Sequence, residues 1–256
     1  MRLALELFAA AFVASVFGSM VGLGGGFILV PILRLFLGFS PAYAAGTSLV
    51  LIVANSASGA FTYLLQRRVH LKIGLLIAAG GLPGSLLGAI ASFHISAKLF
   101  DALLAVLLIA VAVDMAWNAE RRMAGRVEQD RVTSIKGMSY RAAVALGFVV
   151  GIFGSLFGLG GGIVLVPSFL YFSELPAHAI SATSHFAILL TSPIGLAVHA
   201  IQHDIVANDI LPLVLGGLLG GPIGARLSLR LRSPQLLIVV AIALVTAAVT
   251  LVWRQL

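Results

Sequence analysis

Phe17-Gly18-Ser19-Met20-Val21-Gly22-Leu23-Gly24-Gly25-Gly26-Phe27-Ile28-Leu29-Val30-Pro31 occurs a second time, as Phe153-Gly154-Ser155-Leu156-Phe157-Gly158-Leu159-Gly160-Gly161-Gly162-Ile163-Val164-Leu165-Val166-Pro167. Of 15 aligned positions, 11 are identical. Gly24 falls on Gly160, and this offset of 136 residues persists without a gap. Thr47-Ser48 falls on Thr183-Ser184, and Gly80, Gly84 and Gly88 fall on Gly216, Gly220 and Gly224. The chain is internally duplicated.

Three successive glycines are poor helix interior, each costing roughly 1 kcal/mol relative to alanine. They also reach backbone conformations closed to other residues. Each cluster therefore reads as a break between two half-helices, with Pro31 and Pro167 just beyond it favouring a break as well. The half-helix after each break begins with unpaired N–H groups, which carry partial positive charge and suit an anion. The competing reading is packing alone: Gly18 and Gly22, or Gly154 and Gly158, have the spacing of small-residue helix contacts.

The composition is that of a membrane protein. Mean hydropathy is +1.11, 60% of residues are hydrophobic and 10% are charged. Apolar runs of about 20 residues, the length that crosses a bilayer core, recur along the chain. The fold class is an all-α polytopic membrane protein of two homologous halves, each with four hydrophobic segments. The net charge of +7 lies in loops, where the orientation rule explains it better than nucleic acid does. There is no cysteine, hence no disulfide and no thiolate metal site. The run Leu3–Val16 belongs to the repeat and is not read as a removable signal.

Leu3–Leu37 is a predominantly apolar run, and as one straight helix would span about 52 Å, too long for a single crossing. Pro41–Leu65, Ile73–Ser92 and Lys98–Trp117 complete the first half. Tyr140–Phe172, Ala177–Ile201, Asn208–Leu229 and Gln235–Trp253 repeat the plan. The organisation reads as a transmembrane repeat over 1–117, a cytoplasmic linker over 118–138 and a second repeat over 139–256. Loops 66–72 and 118–141 carry 9 of the 16 basic residues, so both are expected to face the cytoplasm. The first segment of each half is either a bent crossing or a re-entrant hairpin. The hairpin gives each half an odd number of crossings and so inverts the halves, a common transporter plan. It is the favoured form, and it places Ser173 inside and Asp204 outside; eight simple crossings reverse both.

Gly22-Leu23-Gly24-Gly25-Gly26-Phe27 lacks the final glycine of a dinucleotide fingerprint, and no lysine follows as in a phosphate loop. The hydroxyl pairs Thr47-Ser48 and Thr183-Ser184 can donate to an oxyanion without bringing a charge into the membrane. Equally, they can bond back to their own helices. Asn55 aligns with Thr191, deeper in the same helix. His185 is an ionisable group within a predicted span, a functional candidate that competes with a neutral histidine at a helix interface. His199 and His203 read as interfacial, without a carboxylate to make a metal site.

The doubled G-x-G-G-G-x-x-x-x-P motif, Gly22 to Pro31 and Gly158 to Pro167, with Thr-Ser after each and eight segments in all, resembles the TauE/SafE sulfite exporter family, also called the TSUP family. The resemblance covers essentially the whole chain. It implies a multi-pass plasma-membrane transporter of small anions, with sulfite, organosulfonates and sulfoacetate among family substrates. Leu49 aligns with His185, so any site is only pseudo-symmetric.

Together these readings predict a small-oxyanion transporter working by alternating access. Its expected anion shell is Gly24, Gly25, Gly26 and Phe27 of one break, Gly160, Gly161, Gly162 and Ile163 of the other, with Thr47, Ser48, Asn55, Thr183, Ser184 and His185. No metal or cofactor and no nucleic acid is expected. The expected partners are the small anion and membrane lipid, with a coupling proton and a homo-oligomer left open. The alternatives are an intramembrane enzyme, built on Ser48 or Ser184 with His185, and a membrane subunit that transports nothing.

Overall fold

The computed structural model describes residues 2–123, 139–173, 175, 177–205, 207–228 and 234–253. Among them are ten helices: α1 (Arg2–Val21), α2 (Gly26–Leu35), α3 (Pro41–Leu65), α4 (Leu71–Ser92), α5 (Ala97–Met123), α6 (Tyr140–Leu156), α7 (Gly162–Phe172), α8 (Ala177–Ile201), α9 (Ala207–Leu227) and α10 (Pro234–Trp253). Six contain stretches long and apolar enough to cross a membrane. Large apolar side chains such as Leu99, Val106 and Val113 stay exposed on the outer faces, as lipid contact requires. The protein is a multi-pass, all-helical membrane protein.

Local chemistry explains the helix limits. Ser40 caps α3, accepting from the Tyr43 N–H, and Pro41 stands in the first turn, where its missing donor is harmless. Ser139 caps α6 in the same way. α5 outlasts its apolar stretch, continuing past Trp117 to Met123, because Ala119, Glu120, Arg121 and Arg122 are acceptable helix formers. Residues 118–123 of the expected linker are thus helical, and residues 124–138 lie outside the described residues.

Both breaks form at the glycines. Gly22, Gly24 and Gly25 have φ of 93°, 86° and 85°, and Gly158, Gly160 and Gly161 have 66°, 74° and 79°. The same three positions of each half are left-handed, the region where a side chain is strained. Pro31 and Pro167 do not end a helix. They lie inside α2 and α7, past the first turn, and withhold a donor from the Phe27 and Ile163 carbonyls.

The small-residue ladders set how the helices pack. A Cβ on Gly80, Gly84 or Gly88 would lie 1.9, 2.1 or 2.1 Å from the carbonyl oxygens of Val144, Phe148 and Ile152. Since both series ascend together, α4 and α6 run parallel, backbone against backbone. Gly216, Gly220 and Gly224 press α9 onto α1 in the same sense, while Gly217 and Gly221 press it onto α3 between Leu51 and Ser58. Each half thus lends its third full-length helix to the first helix of the other. Gly84→Ala is expected to lower the folded yield and melting temperature in detergent, by overpacking worth about 1–3 kcal/mol. An unchanged melting temperature would contradict this packing.

Two consequences follow for the path of the chain. α1, α9 and α3 are mutually parallel, so the stretch between α1 and α3 must bring the chain back to its starting end. It does so at the break: a Cβ on Gly25 would lie 2.7 Å from the Ala14 oxygen, against the helix just left. Equivalent helices α3 and α8, by contrast, run antiparallel. Gly46 faces His199 and Gly59 faces His185. Arg68, between α3 and α4, donates to the His178 carbonyl (3.1 Å) and to Ser228 Oγ (3.0 Å), so the start of α8 and the end of α9 share its end of the bundle. The Asp204 carbonyl lies over Gly46, at the other end.

Candidate functional site

The two breaks touch. A Cβ on Gly26 would lie 2.5 Å from the Gly158 oxygen, and one on Gly162 would lie 2.6 Å from the Gly22 oxygen. Only hydrogen at these positions permits the approach, so glycine here serves packing as well as the turn. The glycines divide the work. Gly25 and Gly161 face back onto their own preceding helices, at Ala14 and Val150. Gly26 and Gly162 face the opposite break. In each turn the donors that could cap the previous helix do so: Leu23 N reaches the Gly18 oxygen (2.8 Å) and Leu159 N the Gly154 oxygen (2.9 Å). Beyond the turn, Ile28 and Leu29 donate to Gly25, and Val164 and Leu165 to Gly161. The N–H groups of Gly26, Phe27, Gly162 and Ile163 belong to the first turns of α2 and α7, where a helix offers no acceptor of its own. Ile52 and its equivalent Ile188 pack around Gly24 and Gly160, closing the meeting point with apolar carbon.

The hydroxyls prove unequal. On α3, Ala45 touches Gly158 and Ile52 touches Gly26, which puts Ser48, between them on that helix face, toward the breaks. Ser48 is fully buried, and its Oγ has no partner. Its equivalent Ser184 donates to the Gly22 oxygen at 2.8 Å. Thr183 accepts from the His70 N–H at 3.0 Å, which ties it to the connection between α3 and α4. Thr47 is fully buried and its Oγ1 has no partner. The predicted set therefore separates into a bound pair in the second half and an unpaired pair in the first.

Asn55 and His185 are joined by a residue that the sequence did not single out. Asn55 Nδ2 donates to the Gly24 oxygen at 3.0 Å. Ser19 Oγ donates to Asn55 Oδ1 at 2.8 Å and lies 3.1 Å from His185 Nε2. Tyr63 Oη donates to the Ser19 carbonyl, and its ring meets His185 edge-on. Ser184 and His185, adjacent in sequence, take different partners, so they form no nucleophile–base pair with each other. Only Ser19's place within the repeated motif could have drawn attention to it.

His199, in the last turn of α8, is fully buried within the protein. It packs edge-on to Phe93 and lies 3.8 Å from Asp204. Burial holds the Asp204 carboxyl above its ordinary range. The other addition is Arg34 at the end of α2, which forms a two-point ion pair with Asp101 at the start of α5 and donates to the Phe39 carbonyl.

Comparison with known proteins agrees with this architecture. Residues 7–251 match the family described as Sulfite exporter TauE/SafE. The probable membrane transporter protein YunE of Bacillus subtilis is 30% identical over 94% of this chain and 94% of its own. The probable membrane transporter protein y4hK of Sinorhizobium fredii is 28% identical over 98% of each chain. A probable membrane transporter protein of Xylella fastidiosa is 26% identical over 93% of this chain and 90% of its own. With two glycine breaks in contact at the core of a multi-pass helical bundle, and a match running nearly from end to end, this chain belongs to the sulfite exporter TauE/SafE family.

Proposed function

We propose that this membrane transporter carries a small oxyanion, a sulfur oxyanion or organosulfonate, bound where the two glycine breaks meet. The observation that carries the reading is the unpaired, fully buried Ser48 hydroxyl on α3, on the helix face whose Ala45 and Ile52 touch the two breaks. A buried hydroxyl without a partner is costly, and two positive helix ends beside it favour an anion. Gly26, Phe27, Gly162 and Ile163 would offer backbone donors. Ser48 would add a hydroxyl, and Thr47 a second where the breaks part. Gly24, Gly160, Gly25 and Gly161 shape the turns. Asn55 and His185 support the first break from behind, while Ser184 and Thr183 hold the second half. Ile52 and Ile188 close the site in this conformation.

The antiparallel course of α3 and α8 supports inverted halves, with each first segment re-entrant and its tip at the glycines. Alternating access then comes from one half rocking on the other around a fixed site. Under this topology the end of α7 lies on the cytoplasmic side with Arg68, and the loop after α8 lies outside. Gln202 is exposed, whereas Asp204 is largely covered. Gln202→Cys is therefore expected to react with an impermeant thiol reagent in intact cells, and Ser173→Cys to stay protected. The reverse pattern would restore eight simple crossings.

The transport reading is tested by the purified protein in proteoliposomes, offered sulfite, sulfoacetate, sulfate and chloride separately. Saturable flux of sulfite or sulfoacetate above protein-free vesicles is expected. Flux of none of the sulfur anions would remove the assignment.

A further inference from the structure

We propose that His185 is a proton-binding site that fills together with the anion, making the transporter a proton–anion symporter; this rests on the transport reading above. The hydrogen bonds fix the roles of the groups around it. Asn55 donates its amide to the Gly24 oxygen, which turns Oδ1 toward Ser19. Ser19 has one proton, and Asn55 Oδ1 can only accept, so that proton goes to Asn55. The contact between Ser19 Oγ and His185 Nε2 is then a hydrogen bond donated by the ring. This leaves Nδ1 as the ring atom that gains or loses a proton. Nδ1 is buried and turned toward the Ser181 carbonyl one turn back, a group that can accept a hydrogen bond only once Nδ1 carries a proton. The histidine is thus wired through Ser19 and Asn55 to the backbone of the first break, with a backbone acceptor at its titrating atom.

The surroundings supply no counter-charge. From α3 come Gly59 and the edge of Tyr63, and from α1 comes Ser19. The nearest charge behind Tyr63 is Arg68, stacked on its ring at 5.0 Å, a second cation. His70, on the connection before α4, meets the neighbouring Thr183 through its backbone. Among the described residues no carboxylate pairs with His185. A lone imidazolium inside a membrane is unfavourable, and so is a lone anion. Each neutralises the other, so binding of one favours binding of the other by the same factor.

The second break is built differently. Leu49 stands where His185 would be. Ser155, the equivalent of Ser19, bonds to Ser85, which donates to the Thr191 carbonyl at 3.0 Å. The Ser155 backbone meets His199 instead, and that ring has Asp204 3.8 Å away, so a proton on it would already have a counter-charge, whereas one on His185 calls for the anion.

The test compares wild type, His185→Gln and His199→Gln in proteoliposomes between pH 5.5 and 8. The probes are sulfite and 2-hydroxyethanesulfonate, the latter keeping its charge across this range. For a transported probe, the wild-type KM is expected to fall as the pH is lowered, by up to about 10-fold per unit for one linked proton. Glutamine keeps a donor toward Ser19 but cannot titrate, so His185→Gln should flatten the dependence, while His199→Gln retains it. His185→Asn replaces the glutamine variant if that one folds poorly. Histidine-labelled protein in nanodiscs supplies an independent reading by NMR: sulfite at constant pH should move the His185 ring nitrogens to the imidazolium pattern. Equal pH dependence in wild type and His185→Gln, loss of the dependence in His199→Gln alone, or a ring that stays neutral with sulfite would overturn the inference. If no probe is transported, the transport reading fails by itself, and the ring signals still decide whether His185 takes up a proton with the anion.

Discussion

Valine at Gly25 or at Gly161 is expected to abolish transport. Gly25 has φ 85° and would place a Cβ 2.7 Å from the Ala14 oxygen; Gly161 has φ 79° and would place one 2.6 Å from Val150 Cγ1. A left-handed residue with a side chain costs roughly 1–2 kcal/mol, and overpacking adds about 1–3 kcal/mol. The break can relieve neither without moving its half-helix off the opposite one. Gly38 separates the two causes, because its φ is 67° and nothing lies within 4 Å of its Cβ position. Gly38→Ala bears the backbone strain alone and should retain flux. Flux, yield and monodispersity measured on all three variants check the argument. Well-folded Gly25→Val protein with normal flux would contradict it.

Removing one member of the Arg34–Asp101 pair is the second large effect. The side chains are 11% and 6% exposed, so either ion left alone is nearly stripped of water. Asp101→Leu should therefore destabilise the protein by about 3–5 kcal/mol, because it takes the carboxylate from a buried guanidinium. Replacing both partners with leucine should recover most of the loss, since the buried charge goes with its partner. At the aligned positions of the second half, the sequence has Leu170 and Leu237. Melting temperatures of the single and double variants form the test. A double variant no better than Asp101→Leu would show that α2 and α5 need the pair itself.

The bundle was legible because its signals are long and repeated. Periodic apolar runs marked every full-length helix, and α3 and α8 have the predicted limits. The glycine clusters marked both breaks because no other residue holds three left-handed positions so close together. The roles within the break were not legible. Whether Gly25 turns the chain or lines the site depends on which way its missing Cβ points, and that needs the fold. Equal sequence pairs also acquired unequal roles. Ser48 and Ser184 are identical letters at matched positions, yet one is unpaired and the other bonds to a carbonyl. Pro31 follows the break, as read, and lies inside the half-helix that begins there. Arg34 and Asp101 are 67 residues apart, so only the return of the chain after α1 brings them together.

The most direct test of the paired-break site is the Ser48→Ala variant, measured for both sulfite affinity and thermal stability. Ser48 Oγ bonds to nothing among the described residues, so removing it should leave the melting temperature unchanged or raise it. If that hydroxyl donates to the anion, affinity should fall by about 1.5–3 kcal/mol, roughly 10- to 150-fold in dissociation constant. Unchanged stability with a 10-fold or greater loss of sulfite affinity is the predicted result. Wild-type affinity in equally stable Ser48→Ala protein would contradict an anion site between the two breaks.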